Sequence, residues 1–104
     1  MEVSVSFFFS SERPDVEITG TNRGQPVVFG GRVTLECIPR AGVPAPNLRW
    51  RNLPVGGVTS RRGSALVLTI QRMTERFCVD CVGESTAGID RDTECVEVQR
   101  ISKY

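Results

Sequence analysis

Short runs of alternating apolar and polar residues recur along this chain, and they favour β-strands over helices. In the run RVTLEC (32–37), Val33, Leu35 and Cys37 share one face of an extended strand. No segment carries a sustained apolar period of about 3.6 residues, which an amphipathic helix needs. Seven or so short strands, separated by glycine- and proline-rich turns, predict an all-β sandwich.

The other predicted strands are rich in β-branched residues or alternate in the same way. They are residues 15–20, 26–31, 48–51, 65–70, 77–84 and 93–99. Residues 38–47 contain three prolines, so we expect a loop or an irregular connection there. Asp90 and Asp92 lie close to the expected tip of the last hairpin, where acidic side chains are usually solvated.

The composition argues against catalysis. The chain has 104 residues, which fits one domain, and it contains no histidine. Without histidine it lacks the most usual general base and the commonest metal ligand, so we expect no enzyme activity, no metal and no other cofactor. The net charge is only +1, which gives nucleic-acid binding no support.

Two cysteines and the tryptophan form a pattern that is specific to one kind of sandwich. Cys37 and Cys81 lie on the apolar faces of two predicted strands, and Trp50 lies on a third strand between them in sequence. Together with the blocks GGRVTLEC, GVPAPNLRW, LVLTIQRMT and CVGESTAG, this pattern resembles an immunoglobulin domain of the intermediate (I-set) type. The resemblance covers about residues 15–99.

This resemblance implies two packed sheets pinned by a Cys37–Cys81 disulfide, which would close a loop of about 44 residues. The predicted core residues are Trp50, Leu35, Leu68, Ile70 and Val79. The chain also departs from the family pattern. Val79 stands where members usually carry a tyrosine, and only 15 residues separate Trp50 from Leu66. We therefore expect C′ and D strands that are short or absent.

Cys78 and Cys95 point away from the core in the predicted strands. If the last hairpin turns between Thr86 and Ala87, the two cysteines face each other with Cα atoms about 4.5 to 5.5 Å apart. That separation lies at the short end of the disulfide range, so we predict a second bridge within one sheet. Three alternatives stay open: a zinc site that uses the CxxC at 78–81, a redox pair, and thiols that are free or bridged to another chain.

The predicted organisation is an extension or extra strand at residues 1–12, an immunoglobulin-like domain at 13–100 and a tail at 101–104. The opening apolar run lacks a positive n-region and is too short for a signal sequence or a membrane span, so we expect no membrane insertion by this segment. Its SVSFFF stretch (4–9) could instead pair with the edge strand of a second copy and form a homodimer.

The family resemblance implies a non-catalytic module of an extracellular or cell-surface receptor or adhesion protein. Such a module recognises a protein ligand or spaces neighbouring immunoglobulin-like domains. One alternative is an intracellular, muscle-type filament module with reduced cysteines, because I-set domains also occur inside muscle cells. The other is a patch for a sulfated glycan or an acidic ligand, built from Arg49, Arg51, Arg61 and Arg62.

Overall fold

The computed structural model describes residues 11–20 and 25–100, and within these ranges the regular elements are all β-strands. The strands are β1 (Glu12–Gly20), β2 (Val27–Val28), β3 (Val33–Val43), β4 (Asn47–Arg51), β5 (Gly57–Arg62), β6 (Ala65–Ile70), β7 (Phe77–Ser85), β8 (Gly88–Val96) and β9 (Val98–Gln99). The predicted all-β class is confirmed.

Two antiparallel sheets pack face to face. The four-stranded sheet has the order β1-β3-β6-β5, and the three-stranded sheet has the order β4-β7-β8. A short parallel pair, β2 with β9, adds a third set of backbone hydrogen bonds near the chain's C-terminal end. Buried apolar side chains from both large sheets form one cluster between them, so the fold is a two-layer β-sandwich.

The core lies where the alternating side chains of the two sheets point inward. Leu68 and Val79 are 0% exposed, and Leu35 and Ile70 are 4% exposed. Burying an aliphatic side chain of this size stabilises the fold by about 1.5–3 kcal/mol. Trp50 is 8% exposed, and its Nε1 has no hydrogen-bond partner among the described residues. The indole is therefore held by packing and not by a hydrogen bond.

The loop or irregular connection expected across residues 38–47 is confined to residues 44–46. Strand β3 continues to Val43, because β1 is longer than predicted and pairs with it along its length. The pairing shifts register where Val16 faces Pro39 and Asp15 faces Ala41, which leaves Arg40 as an extra residue. A bulge of this kind accommodates a proline inside a strand, since the missing N–H falls where the ladder is already irregular.

The region between Trp50 and Leu66 is reduced to one short strand. The chain turns directly after β4, where Asn52 has a positive φ of 63°. It then forms β5, six residues long, at the edge of the four-stranded sheet. No strand lies between β4 and β5 in this fully described stretch. One outer edge of the three-stranded sheet is consequently β4 itself.

Candidate functional site

The four cysteines form two disulfides of different kinds. Cys37 of β3 bonds to Cys81 of β7, which ties the two sheets together, and both residues are 0% exposed. Cys78 of β7 bonds to Cys95 of β8 within the three-stranded sheet. No cysteine of the chain is free. The structure therefore has the two predicted bridges and realises neither the zinc nor the free-thiol alternative.

The second bridge follows from the predicted hairpin register. Cys78 faces Cys95 directly, and the hairpin closes with Ser85 opposite Gly88. The Cα atoms of the two cysteines are 4.0 Å apart, somewhat closer than the separation expected from the sequence. Cys95 is exposed, so this bond lies on the solvent side of the sheet and not in the core.

The outward side of the three-stranded sheet carries three arginines. Strand pairing places Arg49 of β4 and Arg91 of β8 on either side of Val82 of β7. Arg51 lies two residues further along β4 and therefore on the same side of the sheet. With Ile89, these residues line a shallow open depression of about 470 Å³, to which Asp90 also contributes. We call Arg49, Arg51, Val82, Ile89 and Arg91 the arginine face.

The arginines of this face differ in their ion pairs. Arg49 bonds to Glu84, with Nη1 and Oε1 3.1 Å apart. Asp80 lies beside Arg51, but its two carboxylate oxygens accept hydrogen bonds from Asn52 Nδ2 at 2.9 Å and Thr93 Oγ1 at 2.6 Å.

Among the residues that the structure describes, neither Arg51 nor Arg91 has a carboxylate partner. Two positive charges on one sheet surface are thus left for solvent or a ligand.

The structure does not bring the four predicted arginines into one patch. Arg61 and Arg62 belong to β5, in the other sheet. Arg62 donates to Glu36 of β3 at 2.7 Å, on the opposite outer surface of the sandwich. Arg49 and Arg51 instead share their surface with Arg91, which was not predicted from the sequence. The hairpin register that predicted the second disulfide also places Arg91 opposite Val82, so this signal was available.

Asp90 and Asp92 of β8 form hydrogen bonds to the other sheet, whereas the sequence predicted solvated side chains at the tip of a hairpin. Asp90 Oδ2 accepts a hydrogen bond from the backbone N–H of Val16 at 2.8 Å, and Asp92 Oδ2 accepts one from Ile18 N–H at 2.7 Å. Asp92 Oδ1 also accepts from Thr93 N–H at 3.0 Å. These carboxylates satisfy backbone donors on the free edge of β1, which would otherwise be open to another strand.

Several other features bear on function. Residues 11–20 and 25–100 contain no group of three or more histidine, cysteine, aspartate or glutamate side chains arranged to hold a metal ion. In the same part of the chain, no helix is long and apolar enough to cross a membrane. The SVSFFF stretch lies outside the described residues, so the homodimer through this segment stays a prediction.

No model of a protein family matches this sequence, and no curated protein matches it. Solved structures do match. The N-terminal Ig1-2 module of the Drosophila receptor protein tyrosine phosphatase DLAR has a TM-score of 0.69 and 18% identity, over 88% of this chain and 52% of that one. A titin complex with the obscurin-like 1 Ig domain has a TM-score of 0.63 and 18% identity, over 89% of this chain and 99% of that one.

The twitchin kinase region from C. elegans is a third similar structure. Its TM-score is 0.64 at 17% identity, over 83% of this chain and 16% of that chain. At these identities the likeness shows the fold and nothing finer. It agrees with the two-sheet arrangement described above.

Proposed function

We propose that this chain, which has the immunoglobulin fold, is a non-catalytic I-set module of an extracellular or cell-surface protein. Its role is to recognise a protein ligand or to space neighbouring immunoglobulin-like domains. The observation that carries the proposal is the disulfide between Cys78 and Cys95, on the solvent side of the three-stranded sheet. This bond indicates whether the protein resides in an oxidising or a reducing cellular compartment. An oxidising compartment fits a receptor module, and a reducing one fits a filament module.

For assigning the cellular compartment, the position of this bond is more informative than the number of disulfides. Cys37 and Cys81 are buried in the core of the sandwich, as in many immunoglobulin domains. Cys95 is exposed, and an accessible disulfide is open to attack by thiolates. Cytosolic glutathione and thioredoxin keep most such cysteines reduced, whereas secretory compartments let them pair and persist. The bond at the exposed Cys95 therefore favours an extracellular setting.

The similar structures come from a receptor phosphatase as well as from titin and twitchin. Both a receptor module and a filament module are thus compatible with the fold. The exposed disulfide supports the receptor reading. The surface of the sandwich supports recognition, since the arginine face leaves Arg51 and Arg91 without carboxylate partners in the described chain.

A non-reducing peptide map of protein recovered from its native source tests the proposal. The sample is alkylated at once on lysis or collection, digested without reductant and analysed by mass spectrometry. We expect peptides linked Cys37–Cys81 and Cys78–Cys95. Alkylation of Cys78 and Cys95 in the native protein would overturn the extracellular assignment and favour the intracellular filament module.

A further inference from the structure

We propose that the arginine face binds an extended acidic segment of a partner protein. In this arrangement Arg51 and Arg91 each take a carboxylate, while Ile89 contacts an apolar side chain of the same segment. The inference rests on the proposed function, because it names the surface and the partner chemistry of a recognition module.

The geometry of the sheet sets the spacing of the charges. Adjacent strands lie about 4.8 Å apart, so the Cα atoms of Arg49 and Arg91, with β7 between them, are about 10 Å apart. Arg51 lies two residues, about 7 Å, further along β4, so the Cα atoms of Arg51 and Arg91 are about 12 Å apart on the diagonal. In an extended peptide, residues four positions apart are separated by about 13 Å and lie on the same side. Carboxylates four residues apart in such a peptide therefore match the spacing of Arg51 and Arg91.

The charges of Arg51 and Arg91 are available without breaking an existing ion pair. Asp80, the carboxylate beside Arg51, already accepts hydrogen bonds from Asn52 and Thr93. A guanidinium presents a planar set of donors that fits a carboxylate with two parallel hydrogen bonds. An incoming carboxylate can make these bonds and displace only water.

The apolar residues of the face favour a protein segment. Val82 is 3% exposed although it points outward, which follows from the long arginine side chains on both sides of it. Ile89 is 54% exposed at the rim of the depression. A peptide with an apolar residue beside its acidic residues would cover Ile89, and excluding water there strengthens the neighbouring charge pairs.

The carboxylates around the depression disfavour a densely sulfated glycan. Glu84 and Asp80 lie on the same sheet surface as the arginines. A polyanion with a sulfate on every unit would approach these groups closely, whereas a segment with two well-placed carboxylates avoids them. The observations therefore favour an acidic peptide over the glycan.

Nuclear magnetic resonance with the ¹⁵N-labelled, disulfide-intact protein tests the inference. The probe is a capped peptide of alternating glutamate and valine, and the control peptide has glutamine in place of glutamate. We expect the glutamate peptide to shift the side-chain Nε–Hε signals of Arg51 and Arg91, and the glutamine peptide to leave them unchanged. The variant Arg51→Glu/Arg91→Glu should lower the affinity at least about tenfold, since it removes two charge pairs and adds repulsion.

The control variant is Arg61→Glu, which reverses one arginine charge on β5 in the other sheet and is compared with the single variants Arg51→Glu and Arg91→Glu as well as with the double variant. It should bind the peptide within about twofold of the unchanged protein, because charge effects at that distance are screened. Thermal unfolding of all variants shows that the fold is retained. Equal losses in Arg61→Glu and in Arg51→Glu/Arg91→Glu would overturn the inference, and so would unshifted arginine signals.

A heparin oligosaccharide is titrated in parallel. Binding of heparin through Arg51 and Arg91 without binding of the glutamate peptide would overturn the inference in favour of the glycan. This experiment is separate from the peptide map of the cysteines. Intact disulfides with no peptide binding would reject the arginine face and leave the proposed function standing. Reduced cysteines in the native source would reject the proposed function whatever the peptide does.

Discussion

The two faces of the three-stranded sheet are built from the same strands but differ in their packing and in their contact with solvent. The inner face carries Trp50, Cys81 and Asp92, which are aligned across β4, β7 and β8. The outer face carries Arg49, Val82 and Arg91 in the next row. A shift of one residue along each strand thus separates a buried row with the inter-sheet disulfide from a charged row on the surface.

The comparison indicates separate roles for the two faces: the inner face stabilises the sandwich, and the outer face is the proposed binding surface. The inner face is closely packed: a Cβ added to Gly83 would lie 2.6 Å from Val16 Cγ1 of the opposite sheet. Changes there disturb both sheets. The outer face contacts solvent, so its arginines, unlike its disulfide, can change with little effect on folding. The following experiments test that division, in order of expected effect.

Removing the inner disulfide should have the largest effect. The variant Cys37→Ala/Cys81→Ala releases a loop of 44 residues, for which the chain-entropy relation gives a loss of about 4 kcal/mol in the free energy of unfolding. Guanidinium titration under non-reducing conditions measures the loss. A loss smaller than that of the outer disulfide variant would contradict the division.

Removing the outer disulfide should lower the free energy of unfolding by a smaller amount. Mild reduction should also break this bond. For Cys78→Ser/Cys95→Ser the loop is 17 residues, and the same relation gives about 3 kcal/mol. Because Cys95 is exposed and Cys37 and Cys81 are buried, dithiothreitol should reduce the outer bond first in the native protein. Timed alkylation with mass spectrometry follows both bonds, and simultaneous reduction would count against the comparison.

Asp92→Ala probes the inner face at its edge. The substitution leaves the N–H of Ile18 without its acceptor in a partly buried position, which should lower the free energy of unfolding by about 2 kcal/mol. Asp15→Ala is the control, since Asp15 is an exposed residue of the same β1 strand, and its effect should stay within about 0.5 kcal/mol. Similar denaturation midpoints for the two variants would show that the aspartate contact contributes nothing.

Arg91→Ala should have the smallest effect on stability. Arg91 precedes Asp92 in sequence, yet it points to the outer face and makes no ion pair among the described residues. We expect a change within about 0.5 kcal/mol in the same titration. A loss as large as that of Asp92→Ala would mean that the arginine face supports the fold and is not free for a ligand.

Local pattern predicted a large part of this structure. The alternation in β3, β6 and β7 identified the inward residues, because the side-chain period of a strand is fixed by its geometry. The Cys78–Cys95 pairing was predicted as well, since the two strands of a hairpin are joined by a short turn that sets their register. The extension of β3 to Val43 was not predicted. The three prolines in residues 38–47 indicated a loop, and the local sequence does not reveal the pairing with the distant strand β1.

The features that the sequence reasoning missed depend on contacts between distant segments. Asp90 and Asp92 bind backbone atoms 74 residues away, and no pattern near β8 signals that β1 lies beside it. Arg91 joins Arg49 only because β7 separates β4 from β8 in the sheet.

The amino-acid sequence alone therefore determined the all-β class, the inward residues and the Cys78–Cys95 pair, since these follow from strand periodicity and a local turn, whereas the Cys37–Cys81 pair was implied by the resemblance to immunoglobulin domains. Which arginines share a surface, and which carboxylates close the edge of β1, was decided only by the tertiary structure, since strand order and sheet packing bring together residues that are far apart along the chain.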